Sequence, residues 1–332
     1  ETAVNIVPKR MSVMSVMSIQ NSLHWIKDII LIFMNKFIIY ICILLCCTAT
    51  FVSADNDIIS ELPDIDLNDI VKNTNNSFND NFYFSNFTLK NILSDHGTKE
   101  FKITAIEPIY QNNTNGNTAF IQGMIGNFRQ FGKYRTALNI GIGDRFFKKD
   151  YSEMYGYNFF YDTEIEPGHH RLSLGLEYRE ADFKISNNYY KGISKQKKYK
   201  NQNEEILDGL DLIISGYVPI APWIEPNLSL SYWKTKNTKN LKEITFDLNI
   251  NLSDYFSLGL SASDDNINST EYTALISISI GSEKIIKPSL FGINKNLIPQ
   301  DMKKYSLELV KRTDKLKLES TGSFTVKVNR SG

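Results

Sequence analysis

Between Tyr134 and Tyr178, apolar and polar residues alternate with a period of two. Leu138, Ile140 and Ile142 stand between Arg135, Ala137, Asn139, Gly141, Gly143 and Arg145. Leu172, Leu174, Leu176 and Tyr178 stand between Arg171, Ser173, Gly175, Glu177 and Arg179. Successive side chains of a strand point to opposite faces, so each segment has one greasy face and one polar or very small one. Arginine and glutamate recur on the polar face with glycine between them. A soluble sandwich rarely repeats such charges strand after strand. A membrane barrel does, because its outer wall meets lipid and its inner wall meets water. The pattern predicts an all-β chain, a transmembrane antiparallel up-and-down β-barrel.

The alternation continues. About eleven strand candidates lie between Lys99 and Gly281, one every ~14–17 residues, which suits tilted membrane strands joined by turns. Late in the series, Ile244, Phe246, Leu248, Ile250 and Leu252 oppose Thr245, Asp247, Asn249 and Asn251. Residues 98–281 are therefore assigned to the barrel. The lysine- and glutamine-rich stretch Lys195–Asn203 reads as an extracellular loop. Past Gly281, Pro288, Gly292 and Pro299 interrupt any regular element. Asp301–Arg312 suits a helix or a strand, and Leu316–Val328 alternates as a strand or hairpin.

Before the barrel the composition changes twice. Residues 1–33 read as an upstream extension, since the chain opens on Glu1 and Met34 makes the best start. Residues 34–54 have the parts of a signal peptide: basic Asn35-Lys36, an apolar core from Phe37 to Cys47, and the small-residue site Val52-Ser53-Ala54, with cleavage expected after Ala54. An uncleaved anchor is the alternative. Residues 55–97, rich in Asn, Asp and Ser, read as a polar periplasmic lead-in, with Phe87–Leu93 able to form one short helix.

The totals narrow the function. Among 332 residues, 37 are basic and 37 acidic, a balance that gives no reason to expect nucleic acid as a partner. Mean hydropathy is −0.26, far below a helical membrane protein, whereas a barrel hides its lipid face in alternation. The 3 cysteines all fall at Cys42, Cys46 and Cys47, so after cleavage no disulfide, thiolate metal site or cysteine nucleophile would be left.

Several tracts resemble, in order, the β-domain of inverse autotransporters, the intimin and invasin family. Arg135-Thr136-Ala137-Leu138-Asn139-Ile140-Gly141-Ile142-Gly143-Asp144-Arg145-Phe146 is similar to one of its strands, and Gly156-Tyr157-Asn158-Phe159-Phe160-Tyr161-Asp162 to another. Gly168-His169-His170-Arg171-Leu172, Lys184-Ile185-Ser186 through Tyr189, and Asp208-Gly209-Leu210-Asp211 with Gly216-Tyr217-Val218-Pro219 continue the series. Leu309-Val310-Lys311-Arg312 and Leu316-Lys317-Leu318-Glu319 resemble the tract that opens the family's passenger, with Thr313 in place of the usual asparagine. The resemblance covers about residues 97–320. It implies about twelve strands in a Gram-negative outer membrane, contact with its lipid, and insertion by barrel-assembly machinery with periplasmic chaperones. It further implies a linker, here 282–304, running back through the lumen, and a passenger starting at 305–332, short or truncated in this sequence. The implied function is a translocator and anchor that displays an adhesin- or invasin-like passenger. A host-cell receptor follows only if such a passenger exists. No cofactor and no enzymatic activity are implied.

Lumen-facing candidates are Arg135, Asn139, Arg145, Arg171, Glu177, Arg179, Asp211 and Asp247. The plainer reading is that these groups only pair with one another in a wet interior. His169 and His170 lack a third ligand or a nucleophile at usable spacing, and fit a strand start at the barrel rim. Asp264-Asp265-Asn266 lacks the glycine and distal glutamate of a calcium loop. Two other classes stay open: a stand-alone barrel acting as a pore or membrane enzyme, and a decayed or truncated adhesin fragment.

Overall fold

Twelve strands pair in sequence and the last returns to the first, giving a closed antiparallel barrel. The computed structural model describes residues 86–321, apart from 96, 113, 219–220, 254 and 281–300, together with 326–328. The barrel strands are β1 (Asn86–Ser94), β2 (Lys99–Gln111), β3 (Thr118–Gln130), β4 (Lys133–Phe147), β5 (Met154–Glu164), β6 (His170–Arg179) and β7 (Phe183–Gly192). They continue with β10 (Asp208–Gly216), β11 (Ile224–Lys234), β12 (Leu241–Asn251), β13 (Phe256–Asp265) and β14 (Glu271–Ile280). Between β7 and β10 a hairpin of β8 (Lys197–Tyr199) and β9 (Gln202–Ile206) leaves the wall. A second hairpin, β15 (Leu318–Thr321) and β16 (Val326–Val328), joins it as a four-stranded sheet in the order β16-β15-β9-β8.

Register carries one face around the whole circuit. Gln122 opposes Gly141, which opposes Phe160, which opposes Ser173, which opposes Tyr190. Farther on, Asp211 opposes Ser231, Glu243 opposes Asp265, and Ser277 opposes Lys90. This face is the inner one: Gln122, Gly141, Phe160, Ser173, Tyr190 and Asp211 are all buried. The other face is apolar and exposed, with Ile142, Leu174, Leu176, Phe246 and Leu260 each more than half exposed. Such a surface is stable only against another apolar medium. Among the described residues no helix is long and apolar enough to cross a membrane; the crossing belongs to the strands.

Three expectations change. Asn86–Ser94 is neither lead-in nor helix but the first barrel strand, paired to β2 on one side and β14 on the other. Its sequence alternates poorly, and it is a strand because it supplies the edge on which the sheet closes. Lys195–Asn203 is not plain loop, since it holds β8 and the start of β9. The part of the C-terminal region seen inside the barrel is not confined to 282–304. A short 3-10 helix, Met302–Tyr305, capped by the Asp301 carboxylate on the Lys303 amide, leads through a turn at Ser306–Leu307 into a stretch with neither helix nor strand that runs to Lys317. The upstream extension, the signal segment with its cleavage site, and residues 55–85 lie outside the described residues.

Candidate functional site

The site is the lumen and the segment threaded through it. Met302 starts at the barrel end where β14 finishes, its amide donating to the carbonyl of Tyr151 in the β4–β5 turn at 2.8 Å. Leu318–Thr321 ends at the opposite end, paired with β9. The thirteen residues Tyr305–Lys317 lie between.

A chain inside a barrel gives up water for its backbone groups, and these must find partners. Arginines of the inner wall supply them. Arg145, from β4, donates to the carbonyls of Ser306 at 2.8 Å and Glu308 at 2.7 Å. Arg171, from β6, donates to the Thr313 carbonyl at 2.7 Å. Asn188 reaches the Lys311 carbonyl at 3.0 Å, and Asn139 the Asp314 carbonyl at 3.2 Å. In the other direction the Val310 amide donates to Gln122 at 2.9 Å, and the Thr313 amide to the Tyr190 hydroxyl at 2.8 Å.

Side-chain ion pairs repeat the arrangement along the segment. Arg179 and Lys184 both hold Glu308, the lysine at 2.8 Å. Lys311 pairs with Glu225, and Lys102 with Asp314 at 2.6 Å. Lys315 meets Glu100 at 3.0 Å and Lys317 meets Glu243 at 2.7 Å. At mid-segment Arg312 grips Asp162 with two hydrogen bonds of 2.8 and 2.5 Å, and Arg171 donates to the same carboxylate at 2.8 Å. All three side chains are fully buried.

Apolar contacts set the remaining register. Met302 and Tyr305 pack with Met154, Val310 with Ile106, Phe120 and Phe160, and Leu316 with Leu318, Met124, Phe128 and Ile206. The glycines of β4 make room for the aromatics: a Cβ on Gly141 would stand 2.3 Å from the Phe160 ring, and one on Gly143 2.4 Å from Phe120. The arginines stack on these and neighbouring rings, Arg312 over Phe160 at 4.2 Å and Arg179 over Tyr305 at 3.3 Å.

At the far rim Arg135 forms a fork with Glu204 of β9, at 2.7 and 2.6 Å, and pairs with Glu164 at 3.1 Å. The His169 ring, fully buried, stands 3.7 Å from Glu204. Burial pushes the Glu204 carboxyl up, but the nearby His169 ring and the hydrogen bonds from Arg135 outweigh it and hold the group below the usual carboxylate value. Glu319 of β15 accepts from the amides of Lys236 and Asn237 in the β11–β12 turn, each at 3.1 Å.

Of the eight sequence candidates, Arg135, Asn139, Arg145, Arg171, Arg179 and Asp211 are buried on the inner face of β4, β6 and β10. Glu177 is beside them, bridging Arg145 at 3.2 Å. Asp211 binds the Thr313 hydroxyl at 2.8 Å. Asp247 is on the inner face of β12 opposite Asn227 and Ser261, half-buried and away from the others. Sequence reasoning passed over Asp162, Gln122, Asn188, Tyr190, Glu225 and Glu243. Asp162 was within reach, because it shares parity with Gly156 and Asn158 in a tract already singled out. The acidic partner on β9 had no such signal. His170 begins β6 at the rim, 2.7 Å from the Tyr161 hydroxyl. Asp265 receives the amides of Ile267 and Asn268 within the β13–β14 turn. No group of residues able to hold a metal occurs among those described.

Residues 51–301 match the family described as inverse autotransporter, beta-domain. The chain belongs to the inverse autotransporter β-domain family. It is similar to an attaching and effacing protein homolog of Escherichia coli K12, 32% identical over 42% of this chain and 45% of that one. It is also similar to the invasin of Yersinia enterocolitica, 29% identical over 30% of this chain and 12% of the relative. An intimin of Citrobacter freundii is 35% identical over 26% and 10%. The chain thus spans less than half the length of each. A solved chain from a study of in-meso crystallisation of membrane proteins shares the fold, with a TM-score of 0.56 and 21% identity over 71% of this chain and all of that one. An inverse autotransporter barrel resides in the outer membrane of a Gram-negative bacterium, in contact with its lipid, and this family is one of translocators and anchors rather than enzymes.

Proposed function

We propose that this barrel is the anchor and export unit of a C-terminal passenger, with residues 302–317 as the linker left in the lumen once the passenger is outside. One observation carries the reading: the segment begins at the end where β14 finishes and pairs as β15 with β9 at the opposite end. An even strand number puts the start of β1 and the end of β14 on one side, the periplasmic side of an outer-membrane barrel. The far end is then the cell surface, and everything after Thr321 is delivered there. The wall's arginines and amides act on backbone carbonyls rather than on one side-chain pattern, so they suit a chain that slides through before it seats. Folding of the passenger outside, with the segment locked by its ion pairs, makes export one-way without a nucleotide. Insertion would rely on the barrel-assembly machinery and periplasmic chaperones, and a host-cell receptor enters only through the passenger.

An epitope placed after Gly332 tests the orientation. Antibody binding to intact cells is the expected result; binding only after the outer membrane is opened would overturn it.

A further inference from the structure

The outer face of the barrel differs between its two ends. On β7, β11 and β12 alternation turns Tyr190, Trp233 and Leu241 inward as one buried cluster. Lys191, Lys234 and Lys242 therefore point outward, and all three are exposed. Each sits at the end of its strand nearest the β8–β9 hairpin. Toward the opposite end the outer face carries Glu107 and Asp144 instead. Lys191 pairs with Asp208 at 2.5 Å, yet 55% of its side chain stays exposed. Asp208 opposes Lys234 in register, but its two oxygens are taken by Lys191 and by the Gly192 amide at 2.9 Å. The outward acid of β13, Asp264, opposes Ile244 and accepts from Thr270 at 2.9 Å. Among the described residues no carboxylate pairs with Lys234 or Lys242.

Tyr232 stands between these two lysines. It precedes Lys234 by two on the same face and opposes Lys242. Asn240 donates to its hydroxyl at 2.6 Å and holds it at the rim. Lys234 and Lys242 are thus diagonal neighbours, ~7–8 Å apart at the backbone, and one phosphate can meet both ammoniums. Below them on the same face Leu210, Leu230 and Ile244 are exposed. Cations and a tyrosine at headgroup level above an apolar wall match the two halves of an anionic lipid. A soluble anion would use only the upper half. We propose that Lys234, Tyr232 and Lys242, with Lys191 beside them, form a site on the outer wall for a lipid whose headgroup ends in phosphate. The export reading makes this end the cell surface, so the outer leaflet supplies the lipid; the inference rests on that reading for the leaflet and not for the binding.

The test uses the full chain, purified as a folded barrel in a neutral detergent, with bound lipid counted by native mass spectrometry. Dioleoyl phosphatidic acid is the probe, dioleoyl phosphatidylcholine the comparison and inorganic phosphate the competitor. Lys234→Gln with Lys242→Gln removes both cations. Lys148→Gln with Lys149→Gln makes the same change of charge at the other end of the barrel. The expected result is tighter binding of phosphatidic acid than of phosphatidylcholine, a loss of about tenfold in the first double variant, none in the second, and no displacement by millimolar inorganic phosphate. Equal affinity for the two lipids, equal loss in the two double variants, or displacement by inorganic phosphate would overturn the proposal. Orientation on cells plays no part in this measurement, so it fails separately from the epitope test.

Discussion

Arg312 of the threaded segment and Asp162 of β5 are joined by two parallel hydrogen bonds at 2.8 and 2.5 Å, with neither side chain reachable by water. Arg171 holds the same carboxylate from β6. Two guanidiniums on one carboxylate leave a positive excess, which the Asp314 carboxylate 4.0 Å from Arg312, the carbonyls of residues 313–315 and the faces of Phe160 and Tyr190 partly offset. Removing the shared carboxylate strands both cations.

Asp162→Ala is therefore expected to cost about 3–5 kcal/mol, the usual consequence of orphaning a buried charge. The barrel itself keeps its backbone ladder, so the loss should fall on the segment. Protease added to the purified protein should then cut within residues 305–317 at least several-fold faster than in the parent. Equal cutting rates would show that the pair does not hold the segment.

The close approach at Gly141 gives a second outcome. A methyl group there meets the Phe160 ring, and overpacking of this kind costs about 1–3 kcal/mol. Gly141→Ala should lower the temperature at which the barrel loses its compact gel mobility. Adding Phe160→Leu should restore part of it, which a defect unrelated to the ring would not allow.

Acid should loosen the outer hairpin. Glu204 has its carboxyl held below the ordinary value, by Arg135 and His169 against the effect of burial. A depressed carboxylate pKa contributes stability that is present above the unfolded value, about 4.3, and is lost as pH falls through the folded one. Protection of the Leu318–Thr321 amides, which pair with β9, measured as exchange corrected for its intrinsic pH dependence, should fall as pH is lowered into that range. In Glu204→Gln the protection should already be low at neutral pH and lose most of its dependence on pH.

The two faces should answer oppositely to the same change. Leu174→Arg puts a charge on the outer wall, where about 2–4 kcal/mol is expected near the bilayer midplane. Ser261→Arg places it on the inner face of β13, where Ser261 is half-buried. Folding yield into vesicles should drop for the first and hold for the second; a reversed order would mean that the faces are misassigned.

The hydroxyl of Thr313 donates to Asp211, and its amide goes to Tyr190. Thr313→Val keeps the shape and loses the hydroxyl, at about 1.5–3 kcal/mol for a bond to a charged group. Thr313→Asn should retain most of the parent's resistance to protease, since an amide donor can reach the same carboxylate.

How much of this was legible in advance depended on the range of the interaction. Alternation along Tyr134–Tyr178 and Ile244–Leu260 is a local property, and it was enough to name a membrane barrel with a polar interior. The ordered motifs gave the family, and parity alone put Arg135, Arg145, Arg171 and Arg179 on one face. Strand β1 was missed because Asn86–Ser94 has little contrast between its faces, and its pairing with β2 and with β14, some 180 residues away, makes it a strand. The apolar patches inside the wall, Phe120 with Phe160 and Met124 with Phe128, read as ordinary strand residues until Val310 and Leu316 were found against them. Pairing of β15 with a loop hairpin, and the spread of the segment's partners over so many strands, were decided by the tertiary structure. They follow from closure, because a barrel brings every wall within reach of whatever occupies its axis, and no local pattern records which residues will meet there.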